Sequence, residues 1–130
     1  MDFYEVRYDD KAESELEFCK KMYKNHAINS KNMNTVKSVI LDISGGGIRF
    51  SLSTPLEEGT YFMAQFSLAL EECTQQFNIV CKVINCTQSL DYADRYFARS
   101  KFIFDRMTER EKIVRFVFEE ERRIRRREME

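Results

Sequence analysis

The residues that decide the fold are Asp42–Phe50, which read DISGGGIRF. The segment over residues 36–43 is rich in β-branched side chains, and residues 47–52 alternate apolar and polar side chains. A period of two is typical of a strand with one buried face. The stretch therefore predicts two strands joined by a tight turn, in which we expect the glycine triplet to supply the positive φ angles that such turns need.

Strand patterns continue through the middle of the chain. Residues 61–70 and 77–85 alternate apolar and polar side chains, and a last strand is strongest over residues 97–104. Short segments, one of them punctuated by Pro55 and Gly59, separate these strands. This organisation is typical of an all-β barrel or sandwich. We expect seven inward-facing side chains to share one core: Ile40, Ile48, Phe50, Phe66, Ile79, Val83 and Phe102.

The C-terminal residues change to a helical period. Thr108 and Glu111 match the N-cap and N3 positions of a capping box. We predict a helix over residues 109–127, whose apolar first half packs on the barrel. Its second half carries a cluster of arginines among glutamates, and we expect it to project from the domain or to pair with another chain.

The N-terminal residues show a less regular pattern. Residues 3–8 fit a strand, whereas residues 14–25 fit either a helix or a strand. We favour the strand, because Phe18, Met22 and Tyr23 suit a sheet that is already present. The chain is therefore divided into three parts: a divergent N-terminal segment over 1–34 that partly joins the barrel, a β-barrel over 35–107, and a C-terminal helix over 108–130.

The composition indicates one soluble domain. A chain of 130 residues, 43% of them hydrophobic, is long enough to bury a core. Its 21 basic and 22 acidic residues nearly cancel, which argues against a protein that coats nucleic acid. No apolar run reaches the length of a membrane-spanning helix, and the acidic N-terminal residues argue against a signal peptide. We expect a cytoplasmic protein that neither binds nucleic acid nor inserts into a membrane.

Neither a metal site nor an active site is indicated. His26 is the single histidine, which excludes a multi-histidine metal site, and the four cysteines form no CxxC pair. We expect these cysteines to be reduced thiols that are mostly buried. No nucleophile, base and orienting group occur in a recognisable arrangement. The sequence thus predicts a protein that is not an enzyme and that needs neither a metal nor a cofactor.

The motif at Asp42 resembles that of a known family. The pattern Asp42-x-Ser44-x-x-Gly47 is similar to the (Asp/Asn)-x-Ser-x-x-Gly motif of PilZ domains, which are bacterial receptors for cyclic di-GMP. The resemblance covers residues 36–120, through the closing strand and the helix that follows it. It implies a six-stranded antiparallel β-barrel with a C-terminal α-helix. It also implies a cyclic di-GMP ligand and a signalling role in motility, adhesion or exopolysaccharide production.

The motif residues suit a guanine base. Guanine presents two adjacent donors, and the Asp42 carboxylate is able to accept both in charge-assisted hydrogen bonds. Ser44 lies two residues further along an extended chain and faces the same way, while Gly47 lets the backbone approach a flat ligand. The same residues equally fit a hairpin turn in which Asp42 and Ser44 hydrogen-bond their own backbone. The sequence leaves both interpretations open.

One part of the family pattern is missing. PilZ domains that bind cyclic di-GMP carry an Arg-x-x-x-Arg motif ahead of the first strand, and its guanidinium groups contact the phosphates and stack on guanine. Arg7 is the only arginine before Arg49, so we expect Arg7 to be the nearest substitute and binding to be weak. Two explanations remain open: a domain that has lost the pair, or a pair that stands ahead of this sequence in a longer natural chain.

Two functions follow from the resemblance. The first is a module that binds cyclic di-GMP and relays it to a protein effector, with the C-terminal helix as the candidate contact. The alternative is a degenerate PilZ-like adaptor that no longer binds the nucleotide and acts by protein–protein contact. The Asp42 motif favours the first, and the missing arginine pair favours the second.

Overall fold

One antiparallel sheet of seven strands forms the body of the described chain. The computed structural model describes residues 1–32 and 34–129. The strands are β1 (Asp2–Val6), β2 (Val36–Lys37), β3 (Val39–Ile43), β4 (Gly47–Leu52), β5 (Tyr61–Ala69), β6 (Thr74–Gln88) and β7 (Tyr96–Ile103). Helix α1 (Glu15–Asn32) lies between β1 and β2, and α2 (Met107–Met129) follows β7. The strand order in the sheet is β2-β1-β5-β6-β7-β4-β3.

The prediction of a closed six-stranded barrel is wrong. Within the described residues the sheet has seven strands, and its edge strands β2 and β3 are not hydrogen-bonded to each other. The strand predicted over residues 36–43 divides at Ser38, because its first part pairs with β1 and its second part pairs with β4. The Ser38 N–H donates to Met1 O (2.8 Å), and the Met1 amino group donates to Ser38 O (2.9 Å). One continuous segment therefore supplies both edges of the sheet.

The sheet curls around a core of aromatic rings. Phe3 in β1 and Phe50 in β4 are separated by three strands in the sheet order, yet their ring centroids are only 5.8 Å apart. Phe62 in β5 lies edge-on to both, at 5.3 and 5.5 Å. The predicted core is confirmed, since six of its seven residues are buried and Ile40 packs against them while half-buried.

The strand that we favoured over residues 14–25 is wrong, because this segment forms helix α1. The Ser14 hydroxyl oxygen accepts the Glu17 N–H (3.2 Å), which is the N-cap contact of a capping box that the sequence contains at Ser14 and Glu17. Phe18, Cys19 and Met22 are buried, and this spacing puts them on one helical face. Helix α1 thereby covers apolar side chains on the outer face of the sheet, namely Tyr4, Met63 and Val80.

Polar contacts fix the first turns of α1 on the sheet. The Tyr61 hydroxyl donates to the Glu15 carboxylate, which also lies 3.7 Å from Lys82 Nζ. Further along, the Tyr23 hydroxyl donates to Ile103 O (2.5 Å) and accepts the Val80 N–H (3.0 Å). The hydrogen bond from Tyr61 holds the pKa of Glu15 below its usual range, with Lys82 acting in the same direction.

Helix α2 packs its first half on the core, as predicted. Ile113 is fully buried, Phe116 is half-buried against the core, and the arginines over residues 122–127 are exposed. The helix begins at Met107, so Thr108 lies in its first turn and not at the predicted N-cap position. Glu130, the last residue of the predicted helical segment, lies outside the described residues.

The glycine triplet is needed for space and not for positive φ. Among the described residues only Gly59 has a positive φ (84°), so the expectation for residues 45–47 is wrong. A Cβ at Gly47 would lie 2.0 Å from Ser100 O, and a Cβ at Gly45 would lie 2.8 Å from Val114 Cγ2. The turn between β3 and β4 is therefore pressed against the backbone of β7 on one side and against α2 on the other.

We expect Gly47→Ala to destabilise the fold, because the new methyl group meets backbone atoms that cannot rotate away. Overpacking of this kind costs about 1–3 kcal/mol, and occasionally more. Gly46→Ala is the matched control, since the nearest atom to a Cβ there is Ser44 Oγ at 3.8 Å. Urea unfolding of both variants measures the difference, and equal stabilities would contradict this account of the turn.

The contact between Glu15 and Tyr61 predicts a pH-dependent contribution to stability. Because the pKa of Glu15 is lowered in the folded state, its contribution is complete above the ordinary value of 4.5 and is lost as the pH falls through the lowered value. We expect Glu15→Gln to lower the urea midpoint at neutral pH and to match the wild type in acid. Glu17→Gln, an exposed neighbour on the same helix, is the control. A deficit that persists unchanged in acid would contradict the assignment.

Candidate functional site

A β-bulge places Asp42 on the outer face of the sheet. Ile40 pairs with Phe50 and Asp42 pairs with Arg49, so Leu41 is the extra residue. Ile40 and Ile43 both pack against the core although they are three residues apart, which a regular strand with a period of two does not allow. The bulge thus turns both isoleucines inward and leaves Asp42 outward.

A second bulge lies at the same level of the sheet, in β6. Val83 pairs with Ser100 and Asn85 pairs with Arg99, so Ile84 is the extra residue. Its side chain is 47% exposed and lines a cavity beside the Asp42 motif. Bulges are frequent next to binding sites because they redirect side chains.

The two bulges bracket a row of polar residues across four strands. Asp42, Arg49, Arg99 and Asn85 are successive cross-strand partners in β3, β4, β7 and β6. Residues directly opposite one another project from the same face of a sheet. Arg49 and Arg99 are exposed and directly opposite each other, an arrangement of like charges that destabilises a sheet. Within the described part of the chain, neither arginine has an ion pair with a carboxylate.

Two open cavities flank this arginine pair. The first, of about 280 Å³, contains the Asp42 motif, and it is completed by Ile84 and Lys101. The second, of about 270 Å³, is lined by Asn85, Thr87, Phe97 and the same two arginines. The outer face therefore offers one carboxylate, three cations and apolar contacts from Ile84 and Phe97.

Ser44 builds the turn that presents Asp42. Its hydroxyl oxygen accepts the N–H groups of Gly46 (3.2 Å) and Gly47 (3.3 Å), and its own N–H donates to Gly47 O (3.0 Å). The Gly46 carbonyl in turn accepts the Phe102 N–H (2.9 Å). Ser44 thus has the structural role of the hairpin-turn interpretation. The Asp42 carboxylate is different, because it is exposed and has no hydrogen bond or ion pair among the described residues.

The predicted site residues are brought together only in part. Asp42, Ser44 and Gly47 line the first cavity. Arg7, which directly follows β1, is not among the residues that line this cavity.

The cations of the site are not among the site residues predicted from the sequence. Arg49 lies within the stretch that decides the fold, and Arg99 and Lys101 alternate with the buried residues Ala98, Ser100 and Phe102 in β7. The alternation was a usable signal, because it marks Arg99 and Lys101 as outward-facing. Their position beside Asp42 was not visible, since it depends on β7 pairing with β4.

Other candidate groups have structural roles. The His26 Nδ1 atom lies 2.7 Å from the Tyr4 hydroxyl, and the two rings are stacked. The four cysteines are unpaired; burial raises the pKa of the Cys19 thiol to about 11 and that of Cys81 well above its usual value, whereas Cys73 is exposed. Among the described residues, no cluster of ligating side chains is suited to a metal ion, and no helix has the length and apolar character to cross a membrane.

Comparison with known proteins agrees with this geometry. A search of curated proteins and a search of solved structures each found no significant match. A comparison with protein-family models matched residues 23–119 to the PilZ domain. This range covers most of the chain and includes the Asp42 motif, both bulges and the packed half of α2. The chain therefore belongs to the PilZ domain family, whose ligand is cyclic di-GMP.

Proposed function

We propose that this protein is a signalling module that binds cyclic di-GMP on the outer face of β3, β4, β6 and β7. The observation that carries the proposal is the row from Asp42 through Arg49 to Arg99. Two arginines that face each other without carboxylate partners are unfavourable in the free protein. A dianionic ligand removes that cost, because a phosphate accepts charge-assisted hydrogen bonds from a guanidinium.

Each part of the nucleotide has a partner of suitable chemistry on this face. The unpaired Asp42 carboxylate accepts hydrogen bonds from the two adjacent donors of a guanine. Ile84 supplies an apolar contact for the same base. Arg49, Arg99 and Lys101 supply the positive charge for the phosphates. The second cavity, with Asn85 and Phe97, suits the other guanine. The arginine pair lies between the two cavities, as the phosphates lie between the two guanines of the ligand.

These cations change the expected affinity. The sequence predicts weak binding, because no Arg-x-x-x-Arg pair precedes the Asp42 motif. The proposed site instead takes its guanidinium groups from β4 and β7, on rigid strands next to Asp42. A charge-assisted hydrogen bond contributes about 1.5–3 kcal/mol. Asp42 and Ser44 alone correspond to a dissociation constant that is roughly millimolar. Contacts from the two arginines should therefore lower the dissociation constant well below that value.

The remaining parts of the proposal concern the cellular role. We propose a non-enzymatic, cytoplasmic module that passes the signal to a protein effector of motility, adhesion or exopolysaccharide production. Helix α2 is the proposed effector contact, since its second half is exposed and the motif turn packs against Val114 in its first half. The proposed domain limits remain those read from the sequence, with residues 1–34 contributing β1 and α1 to the fold.

The alternative function is an adaptor that has lost the nucleotide and acts by protein contact alone. The observation in its favour is that Ser44 and Gly47 are fully accounted for by the turn. On this alternative, Asp42 and the arginine pair form an exposed polar surface without a ligand.

Calorimetric titration with cyclic di-GMP tests the proposal. We expect the wild type to bind, and Asp42→Ala and Arg99→Ala each to weaken binding by about tenfold or more, which corresponds to about 1.4 kcal/mol per tenfold. Both side chains are exposed, so neither substitution should lower the melting temperature, and Arg99→Ala should raise it slightly because it removes the repulsion from Arg49.

Arg7→Ala is the control for this titration. It removes the same guanidinium group from an exposed position outside both cavities, and we expect the affinity to stay at the wild-type level. A loss with Arg7→Ala equal to that with Arg99→Ala would place the ligand elsewhere. The absence of binding by the wild type would favour the adaptor.

A further inference from the structure

A groove on the exposed side of α2 has a chemistry that the nucleotide site does not use. Its apolar base is formed by Val114 and Phe118, and it is flanked by Arg110, Arg122 and Arg125. These positions are three or four residues apart, so they share one helical face. The groove is open and has a volume of about 570 Å³. We call it the arginine groove.

The arginines of α2 differ in whether they have acidic partners. Arg115, which also lines the groove, pairs with Glu119 (3.0 Å) and lies 3.7 Å from Glu72, and Arg123 pairs with Glu120 (2.6 Å). Within residues 1–32 and 34–129, the three flanking arginines of the groove have no such pair. Glu111 also lines the groove and is its single acidic side chain, so the groove keeps a positive excess.

The base of the groove is apolar. Phe118 is 56% exposed and lies one helical turn from Val114 on the same face. Val114 is half-buried, because the motif turn packs against it at Gly45. An aromatic ring among unpaired arginines is typical of the residues that dominate protein interfaces.

We propose that the arginine groove binds an acidic amphipathic helix of a protein partner. The partner's apolar side chains would cover Phe118 and Val114, and its carboxylates would pair with Arg110, Arg122 and Arg125. From Arg110 to Arg125 the groove runs for about 22 Å along α2 at 1.5 Å per residue, which is the length of a helix of about 15 residues. The inference rests on the proposed effector contact of α2, but it does not depend on cyclic di-GMP.

A protein partner suits this surface better than a nucleic acid. Glu111 lines the groove itself, and its negative charge interrupts the row of arginines that a continuous phosphate backbone would need. A folded peptide is able to place its carboxylates opposite the arginines and its apolar side chains opposite Phe118. Such a peptide matches the positions of the charged and apolar groups of the groove as well as its total charge.

A defined peptide tests the groove without the nucleotide. The probe is a fluorescein-labelled helical peptide with leucine on one face and glutamate on the other, and its counterpart carries glutamine in place of glutamate. Fluorescence anisotropy of the full chain should show binding of the glutamate peptide that weakens with added salt. The glutamine peptide should bind about tenfold more weakly or worse, which is about 1.4 kcal/mol.

Variants on the two sides of α2 locate the binding surface. We expect Phe118→Ala and the pair Arg122→Glu and Arg125→Glu each to weaken peptide binding by about tenfold or more. The pair Arg123→Glu and Arg126→Glu makes the same change of charge on the side that faces Glu119 and Glu120, and it should bind like the wild type. All these side chains are exposed, and unchanged melting temperatures verify the fold of each variant.

Several results would overturn the proposal. Equal losses in both charge-reversed pairs, or equal binding of the glutamine peptide, would mean that the groove does not recognise an acidic helix. Dimerisation of the wild type that Phe118→Ala abolishes would make a second copy the occupant. Preferential binding of a single-stranded oligonucleotide would make it a polyanion site. The titration with cyclic di-GMP should be unaffected by Arg122→Glu and Arg125→Glu. The proposal for the groove and the proposal for the nucleotide site can therefore be contradicted independently of each other.

Discussion

The close approach of two backbone segments at Gly47 is the constraint on which the rest of the structure depends. No side chain fits between this residue and the carbonyl of Ser100, since a Cβ would lie 2.0 Å from that oxygen. The contact holds β4 against β7 in the register that sets Arg49 opposite Arg99. It also brings the motif turn under α2, where Gly45 contacts Val114. The glycines of the motif are therefore required by the fold, whatever ligand the neighbouring residues bind.

The outer face of the sheet is divided between packing and recognition. Under α1 it is apolar, with Tyr4, Met63 and Val80 buried beneath the helix. Beyond Lys82 it becomes polar and charged, because Lys82 pairs in register with Lys101 at the rim of the first cavity. Lys82 is also the cation beside Glu15 at the start of α1. Lys82 thus marks the boundary on the outer face between the area covered by α1 and the proposed nucleotide site.

The two bulges show how a strand with a simple pattern is adapted to a site. Leu41 and Ile84 are each one residue too many for their partner strands, and both lie at the level of the arginine row. Without them the period of two would run unbroken, so that Ile40 and Ile43 could not both face the core. The two extra residues therefore allow the core to remain apolar while the outer face carries Asp42 in β3 and Ile84 in β6.

The sequence by itself determined the β-rich class, the inward-facing core of β4 to β7, the packed half of α2 and the position of the Asp42 motif. These features are carried by periods of two and of 3.6 and by a local motif, which neighbouring residues specify together. The tertiary structure decided the division at Ser38, helix α1 and the arginine row. In each case the deciding partner is distant along the chain. The segment around Ser38 pairs with β1 on one side and with β4 on the other, and helix α1 packs on apolar side chains of β1, β5 and β6. Strand β7 brings Arg99 and Lys101 beside Asp42. Local patterns do not encode such pairings, because register between distant strands follows from how the whole core packs.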